Sequence, residues 1–310
     1  MYLHDEKIKF LEGKALEIRR SIIEMLMAAG SGHTAGPLDM ADIFTTLFFH
    51  TLKHNPKKPD WSERDLVVLS NGHICPVYYA TLAHSGYLPI EELKTLRKFG
   101  SRLQGHPHRD FLPFLETSSG PLGSGLSQAV GMALALRMDP PSPAGYGGAS
   151  AGSGFGAHRY VYCLMSDGEL DEGNSWEGAM LGGKEKLHNL IAIVDRNNIQ
   201  IDGYTEDIMP LDSLRARWEA WNWHVQEIDG HNHYDIDMAI NRAKAVFEKP
   251  SVIIAHTIPG KGIHEIEGDF RWHGVPPGKG PEDVWPKGEQ GKEMLKELRT
   301  LQGNIKSEHQ

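Results

Sequence analysis

Three apolar runs with many β-branched residues most strongly constrain how this chain can fold. They are "YVYCLM" at 160–165, "LIAIVD" at 190–195 and "SVIIAHT" at 251–257, and segments with helical periodicity separate them. Shorter strand-like runs occur at 65–70, "DLVVLS", and at 223–229, "WHVQEID". Apolar strands that alternate with helices are typical of parallel sheets covered on both sides. The sequence therefore predicts an α/β fold, with a mostly parallel sheet and helices on both faces.

The remaining segments show no internal repeat and no clear domain break. Residues 5–28 repeat apolar side chains every three or four positions and predict an amphipathic helix. A second helix is expected at 39–52, with Asp39 as its N-cap. The stretch 139–157, "DPPSPAGYGGASAGSGFGA", predicts a mobile surface loop because it has few side chains to bury. The Lys/Glu-rich tail at 286–310 is expected to be peripheral.

The charge balance argues against a nucleic-acid partner. The chain has 32 Lys+Arg against 41 Asp+Glu, a net charge of -9, and no basic tract that would bind a phosphate backbone. No apolar run resembles a signal peptide or is long enough to cross a bilayer, so we expect a cytoplasmic protein without a membrane partner. The two cysteines, Cys75 and Cys163, stand next to apolar residues and are expected to be buried, reduced thiols.

An acidic turn, "SDGELDEGNSWEGAM", follows the strand that ends near residue 165. The next strand ends in the oxygen-rich "DRNNIQIDG", and Asp167 and Asn197 are 197 minus 167, or 30, residues apart. In a right-handed βαβ unit these two strand ends lie side by side at the ligand-binding edge of the sheet. Carboxylate and amide oxygens suit Mg²⁺ or Ca²⁺, and Gly168 permits a close backbone approach to an anion. The pattern favours a site for a metal and a diphosphate; the alternative is that Asp167 and Glu172 only stabilise the helix dipole while Asn197 forms a turn.

The same segments resemble the thiamine diphosphate motif of transketolases, in which an asparagine follows aspartate–glycine after about thirty residues. Further stretches resemble successive motifs of that family in their usual order: "SGHTAGPLDMADI", "VLSNGHICPVYYA", "LQGHPHRD", "TSSGPLGSGLSQAVGMALA", "EIDGHN" and "WHGVPP". The resemblance covers about residues 10–280 and implies that residues 1–285 form a diphosphate-binding domain. The chain departs from the family pattern at Ser166, where a glycine is usual, and at Thr34, where a proline is usual.

The resemblance implies roles for individual residues. Metal binding would fall to Asp167, the Asn197 side chain and the Ile199 carbonyl. The cofactor would contact His73, Gly120, Pro121, Leu122, Gly168, Asn197 and His273. Glu172 matches a family glutamate at a subunit contact that connects paired active sites. Glu169 and Asp171 are expected to be solvated.

Four histidines stand in small-residue or proline-rich corners: His33, His73, His106 and His273. From the residues alone, a structural role is favoured over a catalytic one for each. The resemblance implies that His33 and His273 contact the sugar near the bond that breaks, while His73 and His106 assist the cofactor and donor hydroxyls. Imidazole suits such a reaction because hydroxyl protons must move near neutral pH.

The resemblance also implies that this chain is one subunit of a split transketolase. The family activates the aminopyrimidine of the cofactor through a second, pyrimidine-binding domain, and we expect a separate C-terminal subunit to supply it, with two of each chain. The reaction would transfer a two-carbon ketol unit between sugar phosphates, as in the pentose phosphate pathway, with thiamine diphosphate and Mg²⁺, or Ca²⁺ in its place. The alternatives are the α subunit of a 2-oxo acid dehydrogenase, a deoxyxylulose phosphate synthase relative and a noncatalytic diphosphate-binding assembly subunit.

Overall fold

A five-stranded sheet forms the centre of the computed structural model, which describes residues 3–138 and 159–298. The predicted loop at 139–157 lies outside the described residues. The strands are β1 Leu66–Leu69, β2 Val161–Ser166, β3 Leu190–Arg196, β6 His224–Asp229 and β7 Ser251–His256, and a short antiparallel pair consists of β4 Ile199–Gln200 and β5 Gly203–Tyr204. The sheet order is β1-β2-β3-β7-β6, and every neighbouring pair in it is parallel. The predicted parallel sheet is therefore confirmed.

Helices cover both faces of this sheet. They are α1 Asp5–Ala29, α2 Ala35–Asp39, α3 Ala41–Thr46, α4 Cys75–His84, α5 Ser124–Met138, α6 Gly173–Lys184, α7 Thr205–Ile208, α8 Leu214–Ala220, α9 His233–Lys244 and α10 Gln290–Glu297. Successive β2 side chains point to opposite faces. Tyr162 and Leu164 join the core formed with α1, α3, α4 and α9, while Cys163 and Met165 join the core formed with α5, α6 and α8. Cys75 and Cys163 are free and buried, as predicted.

The region predicted as a single helix at 39–52 is built differently. Two short helices, α2 and α3, are followed by a π-helical turn at Leu47–Thr51. Asp39 is the last residue of α2 and not an N-cap, so that prediction was wrong. The side chain is fully buried and accepts a hydrogen bond from Asn197 Nδ2 at 3.1 Å. Because Asn197, a residue distant in sequence, binds this carboxylate, the carboxylate does not cap a helix locally.

Part of the C-terminal segment belongs to the folded body. Helix α10 packs against α1, with Met294 fully buried and Leu298 only 6% exposed. The buried Gln290 amide oxygen accepts from the backbone N–H groups of Gly278 and Gly280. Residues 286–298 are thus anchored, while 299–310 lie outside the described residues. Across the described ranges, no helix is both long enough and apolar enough to cross a membrane.

Candidate active site

The loops that follow β1, β2 and β3 meet at one edge of the sheet because parallel strands all end there. The backbone N–H of Asp167 donates to Asp195 O at 3.0 Å, which joins the loop after β2 to the end of β3. The loop before α5 reaches the same edge. A methyl group placed on Gly72 would lie only 3.0 Å from Gly120 N, so this close approach requires glycine. The structure therefore brings the turn around His73 next to the predicted cofactor-contacting loop.

Asp167 is fully buried, and its two carboxylate oxygens have different partners. Oδ2 accepts from Asn198 N at 2.9 Å, from Arg196 Nη1 at 3.0 Å and from Thr205 Oγ1 at 3.4 Å. Among the described residues, Oδ1 accepts only from Gly168 N, at 2.7 Å. Burial raises the pKa of Asp167 to about 6, against the lowering effects of Arg196 and the backbone donors. One oxygen is thus held by three donors, while the other keeps free acceptor capacity.

The Asn197 side chain lies between two other acids. Its Nδ2 donates to Asp39 at 3.1 Å and to Asp195 at 2.9 Å, and its Oδ1 accepts from Ile199 N at 3.1 Å. Burial raises the pKa of Asp195 to about 8, although Thr257 donates a hydrogen bond to it. Burial and then the neighbouring Asp195 raise the pKa of Asp39 well above its usual range. The amide nitrogen of Asn197 thus donates to two acids, and its carbonyl oxygen is the side-chain atom that can face a cation.

The oxygen atoms available at this edge suit a hard divalent cation. Asp167 Oδ1, Asn197 Oδ1 and a backbone carbonyl are the oxygen types that Mg²⁺ and Ca²⁺ bind. Arg196 is the buried cation that these carboxylates contact, and it leaves an excess of buried acidic groups. That excess also favours a bound cation. Within residues 3–138 and 159–298, no cluster of three or more His, Cys, Asp or Glu side chains has a metal-holding arrangement. The predicted ligand set would use only one residue of those types, Asp167, and remains a prediction.

Three of the four predicted histidines form a cluster. The ring centroids are 4.8 Å apart for His33 and His73, 5.3 Å for His73 and His273, and 5.6 Å for His33 and His273. The Nδ1 atoms of His33 and His273 are buried without a hydrogen-bond partner among the described residues. Buried nitrogens without a protein partner are available to hydrogen-bond a ligand or an ordered water.

The environment keeps these imidazoles neutral. Burial lowers the pKa of His33 to about 3, with smaller contributions from His273 and Arg97. Burial also lowers the pKa of His273 to about 4 and that of His73 well below the usual range. His106 lies beside the loop before α5, since a methyl group on Gly120 would be 3.8 Å from His106 Cγ. Its pKa is lowered by burial and then by Arg97. Each neutral ring has one nitrogen that donates a hydrogen bond and one that accepts one.

The carboxylates of the acidic turn separate into different environments. Glu172 is exposed at the start of α6, and Asp171 is exposed and accepts from Gln200 Nε2 at 2.9 Å. Glu169 is fully buried, so the expectation that it is solvated was wrong. Its carboxylate accepts from Ser70 Oγ and from the N–H groups of Gly123 and Ser166. The short helical turn at Gly168–Asp171 turns this side chain inward, which the sequence spacing did not reveal.

The other predicted cofactor residues lie on exposed or tightly packed loop positions. Pro121 and Leu122 are exposed, and Leu122 is 39% accessible. Gly168 lies against Gln200, because a methyl group there would be 3.2 Å from Gln200 Cγ. Ile199 is 3% exposed and begins the short β4 strand.

Sequence reasoning missed Arg196. Its guanidinium binds Asp167 and Glu206, and its side chain is 6% exposed. The sequence did contain an indication of its role. An arginine stands immediately before Asn197, at the end of an apolar strand, and a buried charge there requires a partner.

Comparison with known proteins agrees with this geometry. A family model described as "Transketolase, thiamine diphosphate binding domain" matches residues 13–285. The chain belongs to the transketolase family. The match covers all the loops of the site, so the domain is the N-terminal, thiamine diphosphate-binding domain of transketolases.

Curated relatives include transketolase-type subunits of similar length. The "6-deoxy-6-sulfo-D-fructose transketolase subunit SqwG" of Clostridium sp. (strain MSTE9) is 41% identical over 275 residues, which cover 89% of this chain and 93% of that protein. One of the subunits of an apulose-4-phosphate transketolase from Phocaeicola vulgatus is 39% identical over 271 residues, covering 87% and 90%. A solved transketolase mutant from Pichia stipitis superimposes with a TM-score of 0.79 and 33% identity, and covers 92% of this chain but 40% of that chain.

Proposed function

We propose that this chain is the diphosphate-binding subunit of a two-subunit transketolase that transfers a two-carbon ketol unit from a ketose phosphate to an aldose phosphate. The proposal rests mainly on one observation. Neutral histidines lie at an edge of the parallel sheet that is rich in acidic groups and in oxygen atoms able to bind a metal. Such an edge suits a cation and a diphosphate, and the histidines suit the hydroxyls of a sugar.

In this proposal, Asp167, Asn197 and the Ile199 carbonyl hold Mg²⁺, or Ca²⁺ in its place. His73 and Gly168 contact the diphosphate. The cofactor cleft is lined by Gly120, Pro121 and Leu122. When bound, the cofactor supplies the thiazolium carbon at which a ketose carbon–carbon bond is broken and reformed.

The protein's own contribution is to hydrogen-bond and orient the sugar. His33 and His273 each have a buried Nδ1 without a partner in the described part of the chain, and we assign these atoms to the sugar. His273 also contacts the cofactor, while His73 and His106 assist the cofactor and the donor hydroxyls. Because burial keeps these rings neutral, each offers one N–H donor and one acceptor nitrogen, which can hydrogen-bond and orient the sugar hydroxyls at neutral pH.

The partner in this proposal is a C-terminal transketolase subunit that carries the pyrimidine-binding domain, with two copies of each chain. Two observations support it. Relatives of matching length are named as subunits, whereas the Pichia stipitis chain is more than twice as long as the part matched here. In addition, Ile201 is 66% exposed although it lies beside the histidine cluster, since a methyl group on Gly274 would be 4.0 Å from Ile201 Cγ1 and 3.9 Å from His33 Nε2.

Glu172 is assigned to the contact between copies of the diphosphate-binding chain. It is exposed at the beginning of α6, and its Cβ packs against Gly123. A methyl group on Gly123, which has a φ of +81°, would lie 2.6 Å from that Cβ. The loop before α5 therefore lies directly against the residue that we assign to this contact.

The test is calorimetric titration of thiamine diphosphate with Mg²⁺ into this chain alone, into the candidate pyrimidine-binding chain from the same genome, and into their mixture. Ketol transfer from xylulose 5-phosphate is followed in parallel. We expect tight binding and turnover only in the mixture. At cofactor concentrations 100-fold above Kd, binding should raise the unfolding free energy by about 2.7 kcal/mol, and Asp167→Asn should abolish that gain.

Each other outcome has a definite meaning. Turnover by this chain alone would refute the two-subunit arrangement. Cofactor binding without ketol transfer would favour a noncatalytic assembly subunit, and activity with a 2-oxo acid instead would favour the dehydrogenase alternative. Failure of the mixture to bind cofactor would overturn the proposal.

A further inference from the structure

Glu169 is a buried carboxylate that the proposed chemistry does not use. Its Oε1 accepts from Ser70 Oγ and from Gly123 N, the latter at 3.0 Å, and its Oε2 accepts from Ser166 N at 3.1 Å. Ser70 follows β1, Gly123 precedes α5 and Ser166 ends β2. A single side chain therefore joins three separate loops of the sheet edge.

The network continues beyond the carboxylate. Ser70 Oγ donates to Glu169 and accepts from Gly125 N at 3.1 Å, so the network also holds the first turn of α5. A methyl group on Gly125 would lie 2.4 Å from Ser70 Cβ, and only glycine permits this approach. The glycines of "GPLGSG" thus allow α5 to begin directly against β1.

No cation pairs with Glu169 within the described ranges. A buried carboxyl group is costly unless hydrogen bonds satisfy it, and here both oxygens are occupied by donors from the surrounding loops. An ion pair for stability would have used an arginine or lysine, as Asp42 does with Arg19. The arrangement instead links loop backbones to each other.

We propose that Glu169 is a positioning residue that holds the loops after β1, before α5 and after β2 in the arrangement that admits the diphosphate of the cofactor. These loops carry His73, Gly120 and Gly168, which the proposed function assigns to the cofactor, and the inference rests on that proposal. Glu169 itself does not touch the diphosphate, since its oxygens face Ser70, Gly123 and Ser166.

The test compares Glu169→Ala, Glu169→Gln and Ser70→Ala with the control Glu177→Gln, an exposed glutamate on α6. Cofactor Kd is measured in the mixture with the partner chain and Mg²⁺, and amide hydrogen exchange is measured without cofactor. Glu169→Ala should raise Kd by about tenfold or more and speed exchange at Gly123, Gly125 and Ser166, because three hydrogen bonds to one buried carboxyl group are lost.

The graded variants separate positioning from general stability. Glu169→Gln should have a smaller effect, since its amide oxygen can still accept from Ser70 and Gly123, and Ser70→Ala should release mainly the β1 loop. Amides in α1 and α4 should keep their protection in every variant. A Glu169→Ala protein that loses thermal stability but binds cofactor as tightly as wild type would overturn the inference.

The outcomes also distinguish this inference from the proposed function. If the wild-type mixture bound no cofactor, the proposed function would fail first. Amide exchange requires no cofactor, so unchanged exchange at Gly123, Gly125 and Ser166 in Glu169→Ala would overturn the anchoring itself.

Discussion

The buried cluster around Asp42 and the carboxylates at the sheet edge both contain charged side chains, but they are compensated differently. Asp42 receives Arg19 Nη1 at 3.0 Å, Arg19 Nη2 at 2.7 Å and His231 Nδ1 at 2.9 Å. Burial raises the pKa of Asp42, yet the charge of Arg19 and these hydrogen bonds outweigh it and hold the pKa below its usual range.

At the sheet edge, the pKa values of the carboxyl groups are shifted in the opposite direction. Asp39, Asp167, Glu169 and Asp195 are all buried, and the pKa of each is raised, because burial outweighs the donors around it. Arg196 is the buried cation that contacts this group, through Asp167. In the paired cluster, loss of one partner would leave an uncompensated buried charge, whereas unpaired buried acids with raised pKa values are typical of sites that bind a cation or another ligand.

The largest expected effect is the loss of the paired carboxylate. Asp42→Asn leaves Arg19 buried without its counter-charge and should lower the unfolding free energy by about 3–5 kcal/mol. Urea unfolding measures this change. The matched variant Asp167→Asn should cost about 1 kcal/mol or less without ligands, because Arg196 keeps Glu206 as a partner. Equal losses in the two variants would remove the distinction between the clusters.

A pH series tests the histidines of the site. The folded pKa values of His33 and His273 are about 3 and about 4, below the ordinary value of 6.5. Between pH 6.5 and 4 the unfolded chain therefore binds protons that the folded chain does not, and stability falls as the pH falls. Each histidine contributes up to about 1.4 kcal/mol per pH unit.

Urea unfolding at pH 7 and pH 5 measures this slope. His273→Asn should reduce it by up to about 1.4 kcal/mol per pH unit, while the exposed His264 provides the control variant His264→Asn. An unchanged slope in His273→Asn would show that this ring has the same pKa in the folded protein as in the unfolded chain.

The smallest expected effect concerns the Asp39–Asp195 pair. Two carboxyl groups there share the Asn197 amide, and burial disfavours the ionised form of both, so Asp39→Asn removes one of these groups with little change in shape. We expect the unfolding free energy to stay the same or rise by about 1 kcal/mol. A loss above about 2 kcal/mol would mean that the Asp39 carboxylate is stabilising, as Asp42 is.

Local patterns in the sequence were sufficient for much of the fold and part of the site. The β-branched runs predicted β2, β3 and β7, since residues apolar on both faces can only be buried in the centre of a covered sheet. The thirty-residue interval between Asp167 and Asn197 predicted that two strand ends would meet, because a βαβ unit has one handedness. The structure places their loops in hydrogen-bonding contact.

Other features depended on distant parts of the chain. The N-cap assigned to Asp39 was wrong because its partner, Asn197, is 158 residues away in sequence. The solvated position assigned to Glu169 was wrong because Ser70 and Gly123, on other loops, donate hydrogen bonds to its carboxylate in the interior.

The sequence by itself determined the parallel sheet, the positions of its ligand-binding loops and the family motifs, because these depend on periodicity and on short-range spacing. Only the tertiary structure decided which carboxylates are buried and what each one contacts. Burial and pairing arise from long-range contacts, and the free energy of a charged side chain depends on those neighbours more than on its place in a motif.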